Sequence, residues 1–441
     1  MDHIEHQQWQ RWLTRCSGWR QMSVGNMTRA CFGRPRLVEQ RQAMRIVMIG
    51  LFGLRPKGTM SVRALPMAMA LVARGHRVNI IVPPWSYPQD SGREWDEDGV
   101  SIRNITLPLR FPLIRHLIIT WRLVRQALAL MPDVVHCFKP KGYAGLVAMA
   151  FWFLKALGLT KARLIVDSDD WEGKGGWNEI EPYTGLQKRF FAWQERWGLT
   201  HCDALTVASR ALETIAWSLG VMPGKVFYVP NGTVSSFKFQ VSSSEARIPT
   251  DHPIVLLYTR FFEFAVERVV EIFRRVLDQV PEARLLVVGK GFFGEEERLS
   301  ELMREAGLAD HLVYADWVEP GELSAYFAAA DVAIFPYDDT LINRTKCSVK
   351  LIDLMAAGVP VVADDVGQNA EYVVHGISGL LVPAGETDTF ARSVVELLRD
   401  ESLRAKLGKG AQRRILEEFN WERLVAKVEK AYQGAEIWRW T

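Results

Sequence analysis

Short apolar runs dense in β-branched residues recur along the whole chain, and each is followed by a stretch with helical spacing. Arg45 to Gly50, Arg77 to Val82, Asp133 to Cys137, Arg163 to Val166, Ala204 to Val207 and Lys225 to Val229 form one series. Pro253 to Tyr258, Arg284 to Val288, Leu312 to Tyr314, Val332 to Phe335 and Val359 to Ala363 form a second. The runs are continuous instead of alternating, as in strands covered on both faces, and such strands pair in parallel through crossover helices. Between the two series, residues 239–251 are serine-rich and lack any period, which marks an interdomain linker. The pattern predicts an α/β chain of two parallel-sheet domains facing a central cleft, with ligands bound at the carboxyl ends of the strands. The expected organisation is an extension over 1–43, a first domain over 44–240, a second over 252–418, and a closing helix over 419–441 that returns to the first domain.

The 441 residues, 48% hydrophobic and 24% charged, are enough for two large cores. Cys16, Cys31, Cys137, Cys202 and Cys347 are odd in number, far apart and contain no CxxC pair. That spacing argues against a disulfide framework or a zinc site and for a reducing compartment. The first forty residues carry arginines throughout and resemble neither a secretory signal nor a spanning helix. No segment reaches the roughly 18 charge-free apolar residues that spanning requires. Charge is unevenly split: 32 basic against 19 acidic residues in 1–250, and 22 against 32 in 251–441. A basic first half suits a membrane surface, a phosphate-bearing lipid or an acidic polymer; it equally suits attraction to the acidic second half. Arg115, Arg122 and Arg125 lie on one side of the apolar stretch 111–131, a pattern shared by bilayer-surface helices and by core helices with polar edges. Trp9, Arg11, Trp12, Arg15, Trp19 and Arg20 add to the membrane reading.

The stretch from Lys346 to Gly367 runs from a helix through a Gly358-Val-Pro360 stop into a buried strand. Lys350 and Asp353 sit three apart, so one helix side offers both a cation and a carboxylate. Arg260 closes another strand at the cleft, where a guanidinium can grip two phosphate oxygens in a fork. Gly50 to Thr59 follows a strand and precedes a helix with Pro66 near its start, a place where free N–H groups can meet phosphate. It is neither a GxGxxG fingerprint nor a P-loop. Asp167 to Asn178 combines acidic, aromatic and flexible residues suited to an acceptor, with Asp169 or Asp170 placed to orient a hydroxyl. Trp171 or Trp177 offers a stacking surface for a sugar.

The order Gly75-His76, Pro230-Asn-Gly232, Tyr258-Thr-Arg260, Val287-Val-Gly-Lys-Gly291, Ala315-Asp-Trp-Val318, Phe335-Pro336, the Lys350 to Gly358 helix and Gly367-Gln-Asn-Ala-Glu371 resembles the retaining GT-B glycosyltransferases of family 4. The resemblance covers about residues 44–433. It implies two Rossmann-like domains and transfer of a sugar from a nucleotide-diphosphate donor, held mainly by the second domain, to a glycan, lipid-linked or small-molecule acceptor. Retention is implied without an assigned nucleophile. Candidate catalytic residues are then Arg260, Lys350 and Asp169. Candidate donor-binding residues are Gly58, Gly289, Trp317, Val318, Lys346 and Asp353, and candidate acceptor-binding residues are His136, Asp170 and Trp171.

Two family positions differ: Ala265 stands where a lysine is usual, and Thr345 where the first of two glutamates is usual. Lys350, Arg268 or Lys346 could replace the lost cation, and Asp338, Asp339, Asn343 or Arg344 the lost carboxylate. Asp167-Ser-Asp169 also matches the DxD metal signature of the GT-A fold, which the second complete βα series argues against. The resemblance implies no cofactor and no obligatory metal, the nucleotide sugar being a co-substrate. The expected partners are that donor, the acceptor and an anionic membrane surface, with no nucleic acid. The expected location is cytoplasmic, with peripheral attachment to the inner membrane face left open. A GT-B-fold nucleotide-sugar epimerase and a non-catalytic sugar-nucleotide-binding or membrane-docking protein are the alternatives.

Overall fold

The computed structural model describes residues 43–55, 58–108, 112–234 and 251–434. The early tryptophans and arginines, and most of the serine-rich linker, lie outside the described residues. From Met44 onward the chain forms one compact body around two sheets.

The first sheet holds β1 (Arg45–Ile49), β2 (Arg77–Val82), β3 (Glu94–Glu97), β4 (Val100–Asn104), β5 (Val134–Phe138), β6 (Arg163–Ser168), β7 (Ala204–Val207) and β8 (Val226–Tyr228). Their spatial order is β3-β4-β2-β1-β5-β6-β7-β8, parallel throughout except for the antiparallel edge pair β3–β4. The second holds β9 (Ile254–Tyr258), β10 (Arg284–Val288), β11 (Leu312–Tyr314), β12 (Val332–Phe335), β13 (Val361–Asp364) and β14 (Leu380–Val382), ordered β11-β10-β9-β12-β13-β14 and wholly parallel. Each sheet is buried on both faces. In the first, Ile46, Met48 and Ile80 face one core while Val47, Ile49 and Ile81 face the other; in the second, Leu256 and Leu286 oppose Val255, Leu257 and Leu285. This two-sided burial is why the runs do not alternate.

The edge pair β3–β4 was not expected. Its turn is Asp98-Gly99, both with positive φ (49° and 80°), the conformation that a tight two-residue hairpin demands. A short π-helical segment, Met60–Ala64, runs without a break into the Leu65–Ala73 helix, so the missing N–H of Pro66 falls where the regular hydrogen-bond ladder is already interrupted, Leu65 N donating to Met60 O.

The closing helix, Trp421–Gln433, packs on the first sheet's side. Trp421, Leu424, Val425 and Val428 join the core that contains Ile46 and Met48. Arg74 donates two hydrogen bonds to Glu429 (2.6 and 2.8 Å), and His76 meets the same carboxylate at 3.1 Å. The chain thus passes between the sheets twice, and the two passages pair: Thr233 N donates to Phe419 O and Trp421 N to Thr233 O, each at 2.9 Å.

Candidate active site

On the second domain, β9 ends in Tyr258 and a tight loop. Phe261 takes a left-handed conformation (φ 70°), and its amide donates to Thr259 Oγ1 at 2.8 Å, which leaves Arg260 exposed at the strand's carboxyl end. Lys350, in the first turn of the Val349–Ala356 helix, sets its ammonium 3.4 Å from the centre of the Tyr258 ring. Asp353 lies one turn further on. Burial first, and then the Asp353 carboxylate, raise the Tyr258 phenol above its ordinary pKa, against the pull of Arg260. Lys350 thus stacks on the ring at the end of β9, and Asp353 and Arg260 act on its phenol electrostatically with opposite sign.

The glycine at the end of β10 is fixed by sterics. Gly289 has φ 134°, and a Cβ there would stand 1.9 Å from Thr259 O. Trp317 is exposed nearby, whereas the Val318 side chain belongs to the core that includes Tyr258, so only its backbone is offered to a ligand.

Lys346 is held by the buried Glu263, which the sequence reading overlooked, and lies 4.2 Å over the Phe262 ring. Glu263 was obscured because its partner is 83 residues away. Arg268 cannot substitute for the lysine missing at Ala265: both of its terminal nitrogens are committed to buried Asp364 at 2.7 Å. Thr345 is buried, and its hydroxyl is turned back onto Leu341 O at 2.9 Å. Asn343 is likewise held inside, its amide donating to Glu263 O and Asp338 O. Asp339 and Arg344 pair with each other on the surface.

On the first domain, the loop after β6 gathers its acids on one lysine. Lys139, in a left-handed conformation (φ 55°) just past β5, lies 3.3 Å from Asp169, 3.0 Å from Asp170 and 3.2 Å from Glu172. Burial opposes the Lys139 charge, but the three carboxylates outweigh it and hold its pKa well above the ordinary value. Burial also works against ionised Asp169, yet Lys139 and a 2.6 Å hydrogen bond from Thr59 keep its pKa low. Asp170 goes the other way: burial, with the charges of Asp169 and Glu172, raises it despite Lys139. Gly58 sits one residue before Thr59, its carbonyl accepting from the amides of Ser61 and Val62.

The DxD resemblance runs into the same loop. In that pair Asp167 accepts from buried Arg63 through two 2.7 Å bonds, while Asp169 accepts from Thr59 and lies 3.3 Å from Lys139. Arg63 also donates to Asn231 Oδ1 at 3.0 Å. Asn231 in turn donates to Cys347 O at 2.9 Å and accepts from Tyr372 at its own carbonyl, which joins the two domains beneath the cleft. Burial opposes the Arg63 charge, but Asp167 more than restores it.

Two acceptor assignments require correction. His136 is fully buried, with Nδ1 2.9 Å from the Tyr432 hydroxyl and Nε2 3.1 Å from Thr206; burial holds its pKa well below the ordinary value. It is a core residue between β5 and the closing helix. Trp171 is folded beneath its own loop, its indole donating to Lys174 O at 3.0 Å and its ring filling the space at Gly173. The aromatic that reaches the second domain is Trp177, 4.8 Å from Phe262 and 6.4 Å from Phe292, whose ring lies 4.4 Å beneath the Arg260 guanidinium. The loop that carries Asp169 and Asp170 thus meets the second domain through Trp177, and burial lowers the Arg260 pKa against the pull of Glu263, Asp170 and Glu181.

Two family models match the chain: glycosyl transferases group 1 over residues 239–414, and glycosyl transferase 4-like domain over 58–232. The GDP-mannose-dependent alpha-(1-6)-phosphatidylinositol monomannoside mannosyltransferase of Mycobacterium tuberculosis is 31% identical over 36% of this chain and 42% of its own. The N-acetyl-alpha-D-glucosaminyl L-malate synthase of Bacillus anthracis is 25% identical over 54% of this chain and 61% of its own. The chain thus spans about half the length of these curated relatives. Sucrose-phosphate synthase from Thermosynechococcus elongatus shares the fold, with a TM-score of 0.67 at 20% identity over 88% of this chain and 98% of that one.

Proposed function

Because the chain belongs to the group 1 glycosyltransferases of GT-B fold, we propose that it moves a sugar from a nucleotide-diphosphate donor to an acceptor hydroxyl with retained configuration. The observation that carries this reading is the Lys350 ammonium 3.4 Å from the ring of Tyr258 at the end of β9, with Arg260 two residues on and Asp353 one helical turn along, in the domain that Trp177 of the acid loop touches. In the reaction the bond from the anomeric carbon to the diphosphate breaks and a bond to the acceptor oxygen forms on the same face. The acceptor proton passes to the departing phosphate, which needs no protein nucleophile.

Each residue has a part in that step. Arg260 and Lys350 offset the charge that develops on the leaving diphosphate, and cations fixed in a partly dehydrated cleft are worth more there than in water. Asp353 accepts from the ribose hydroxyls. Asp169, kept ionised by Lys139 and Thr59, orients the acceptor hydroxyl; Asp170 faces Arg260 across the gap. Thr345 offers no carboxylate to the donor sugar, so sugar contacts fall to neighbouring backbone and to exposed Asp339. The relatives' names describe transfers and syntheses, which does not favour an epimerase or a non-catalytic binder.

The test is thermal melting of the full chain with GDP-, UDP- and ADP-sugars, alongside Arg260→Ala and Asp353→Ala. A donor at about 100 times its Kd stabilises by roughly 2.7 kcal/mol. A rise with one nucleotide class that vanishes in both variants is expected. No rise with any donor, or an undiminished rise in Arg260→Ala, would overturn the assignment.

A further inference from the structure

Three helices cover one face of the first sheet: Pro112–Ala129, Gly142–Ala156 and Gly185–Thr200. Ile119, Leu123 and Ala127 of the first point into the core. The opposite side of a surface helix is normally polar. Here it carries Ile114, Leu117 and Trp121, with Leu117 69% exposed and the Arg125 guanidinium 5.1 Å from the Trp121 ring.

The third helix is inverted. Gln194 and Glu195 are fully buried, Gln194 donating to Gly142 O and Glu195 accepting from the Glu172 amide, while Leu186, Phe190 and Trp193 face solvent. Leu186 is 79% exposed. Spacings of four and three residues put those three on one stripe, next to exposed Arg189 and Arg196.

From this geometry we infer that the helical face is a docking surface for an anionic lipid bilayer. Charge selects the occupant. The first two helices contain no Asp or Glu, and the third contains only buried Glu195, against exposed Arg125, Arg189 and Arg196 and half-buried Arg115 and Lys188; Lys155 is paired with Asp203 and Arg122 with the Thr106 carbonyl. Apolar and indole side chains interleaved with cations match the boundary between acyl chains and anionic headgroups. Among the described residues no helix is long and apolar enough to cross a membrane, so the contact is peripheral.

Position gives the face a purpose. Each helix follows a parallel strand and runs back antiparallel to it, so Ile114 to Trp121 and Leu186 to Trp193, near the helix starts, lie toward the carboxyl ends of the strands, the cleft side. A bilayer held there brings headgroups toward the Asp169–Asp170 loop. Resting on the transferase reading, this makes the acceptor a hydroxyl carried by a membrane lipid.

The experiment is flotation of the full chain with phosphatidylcholine vesicles and with equimolar phosphatidylcholine and phosphatidylglycerol vesicles, across a salt series. Wild type is compared with Trp121→Ser/Phe190→Ser and Arg125→Glu/Arg189→Glu, all at exposed positions. Wild type is expected to float only with the anionic vesicles and to be released by salt, each double variant binding about tenfold more weakly or worse. Wild type left in solution, equal binding to neutral vesicles, or variants that float like wild type would overturn the inference. So would a lipid-free dimer that the variants dissociate, since the face would then join two copies of the chain. Donor-induced thermal shifts run in parallel separate the two readings: their absence condemns the transferase assignment and leaves the vesicle result standing.

Discussion

Asp170 shows how one residue can be held against its own preference. Burial and the neighbouring Asp169 and Glu172 raise its pKa, so the ionised form is less favoured in the folded protein than in the unfolded chain. That cost is full above the raised pKa and vanishes below the ordinary carboxyl value of 3.8. Asp170→Asn should therefore gain stability relative to wild type as pH rises from acid to neutral, measured by melting at several pH values. A difference that stays flat with pH would show that the charge carries no such cost. Asp169 has the opposite sign: its lowered pKa contributes stability that is present above 3.8 and lost as pH falls through the folded value. At this scale the sequence was a partial guide. Arg260, Lys350 and Asp353 could be located because strand ends and helix spacing place them, but the commitments of Arg268 to Asp364 and Lys346 to Glu263 join residues 96 and 83 positions apart. His136 misled because a strand end at the cleft and one facing the closing helix look alike until that helix is placed.

At the level of elements, the continuous apolar runs identified the parallel strands because burial on both sheet faces leaves no polar alternation. The β3–β4 hairpin escaped that criterion: Glu94–Glu97 is an exposed, charged edge strand, and its only signal was the Asp98-Gly99 turn. β14 escaped as well, although β11, equally short, did not. The end of β10 is the most sterically constrained of these elements. Gly289→Ala would put a methyl group 1.9 Å from Thr259 O at a backbone angle that side chains avoid. We expect a loss of about 2–4 kcal/mol, read from denaturant unfolding, together with loss of the donor-induced shift. A variant as stable as wild type would mean that β9 and β10 can separate at their ends without cost.

For the molecule as a whole, the closing helix makes the first domain depend on residues that follow the second. Trp421 is fully buried beside Arg63, whose guanidinium lies 6.0 Å from its ring. Trp421→Ala should cost about 3–5 kcal/mol in equilibrium unfolding, through lost burial and the cavity left behind. Because Trp421 lies on the first domain's core, the surviving folded fraction should still respond to donor; loss of that response would show that the helix also shapes the second domain's site.

The pairing of Thr233 with the Phe419–Trp421 segment has a mechanical meaning. Two strands of chain bridge the domains, and they are laced together at one point, where Gly232 leaves no room for a Cβ beside Phe419 O. If the cleft opens, that knot is the fulcrum: atoms around Thr233 and Asn420 travel least, and displacement grows with distance from them. The contacts of Trp177 with Phe262 and Phe292 cross the same cleft, so they must break for it to open.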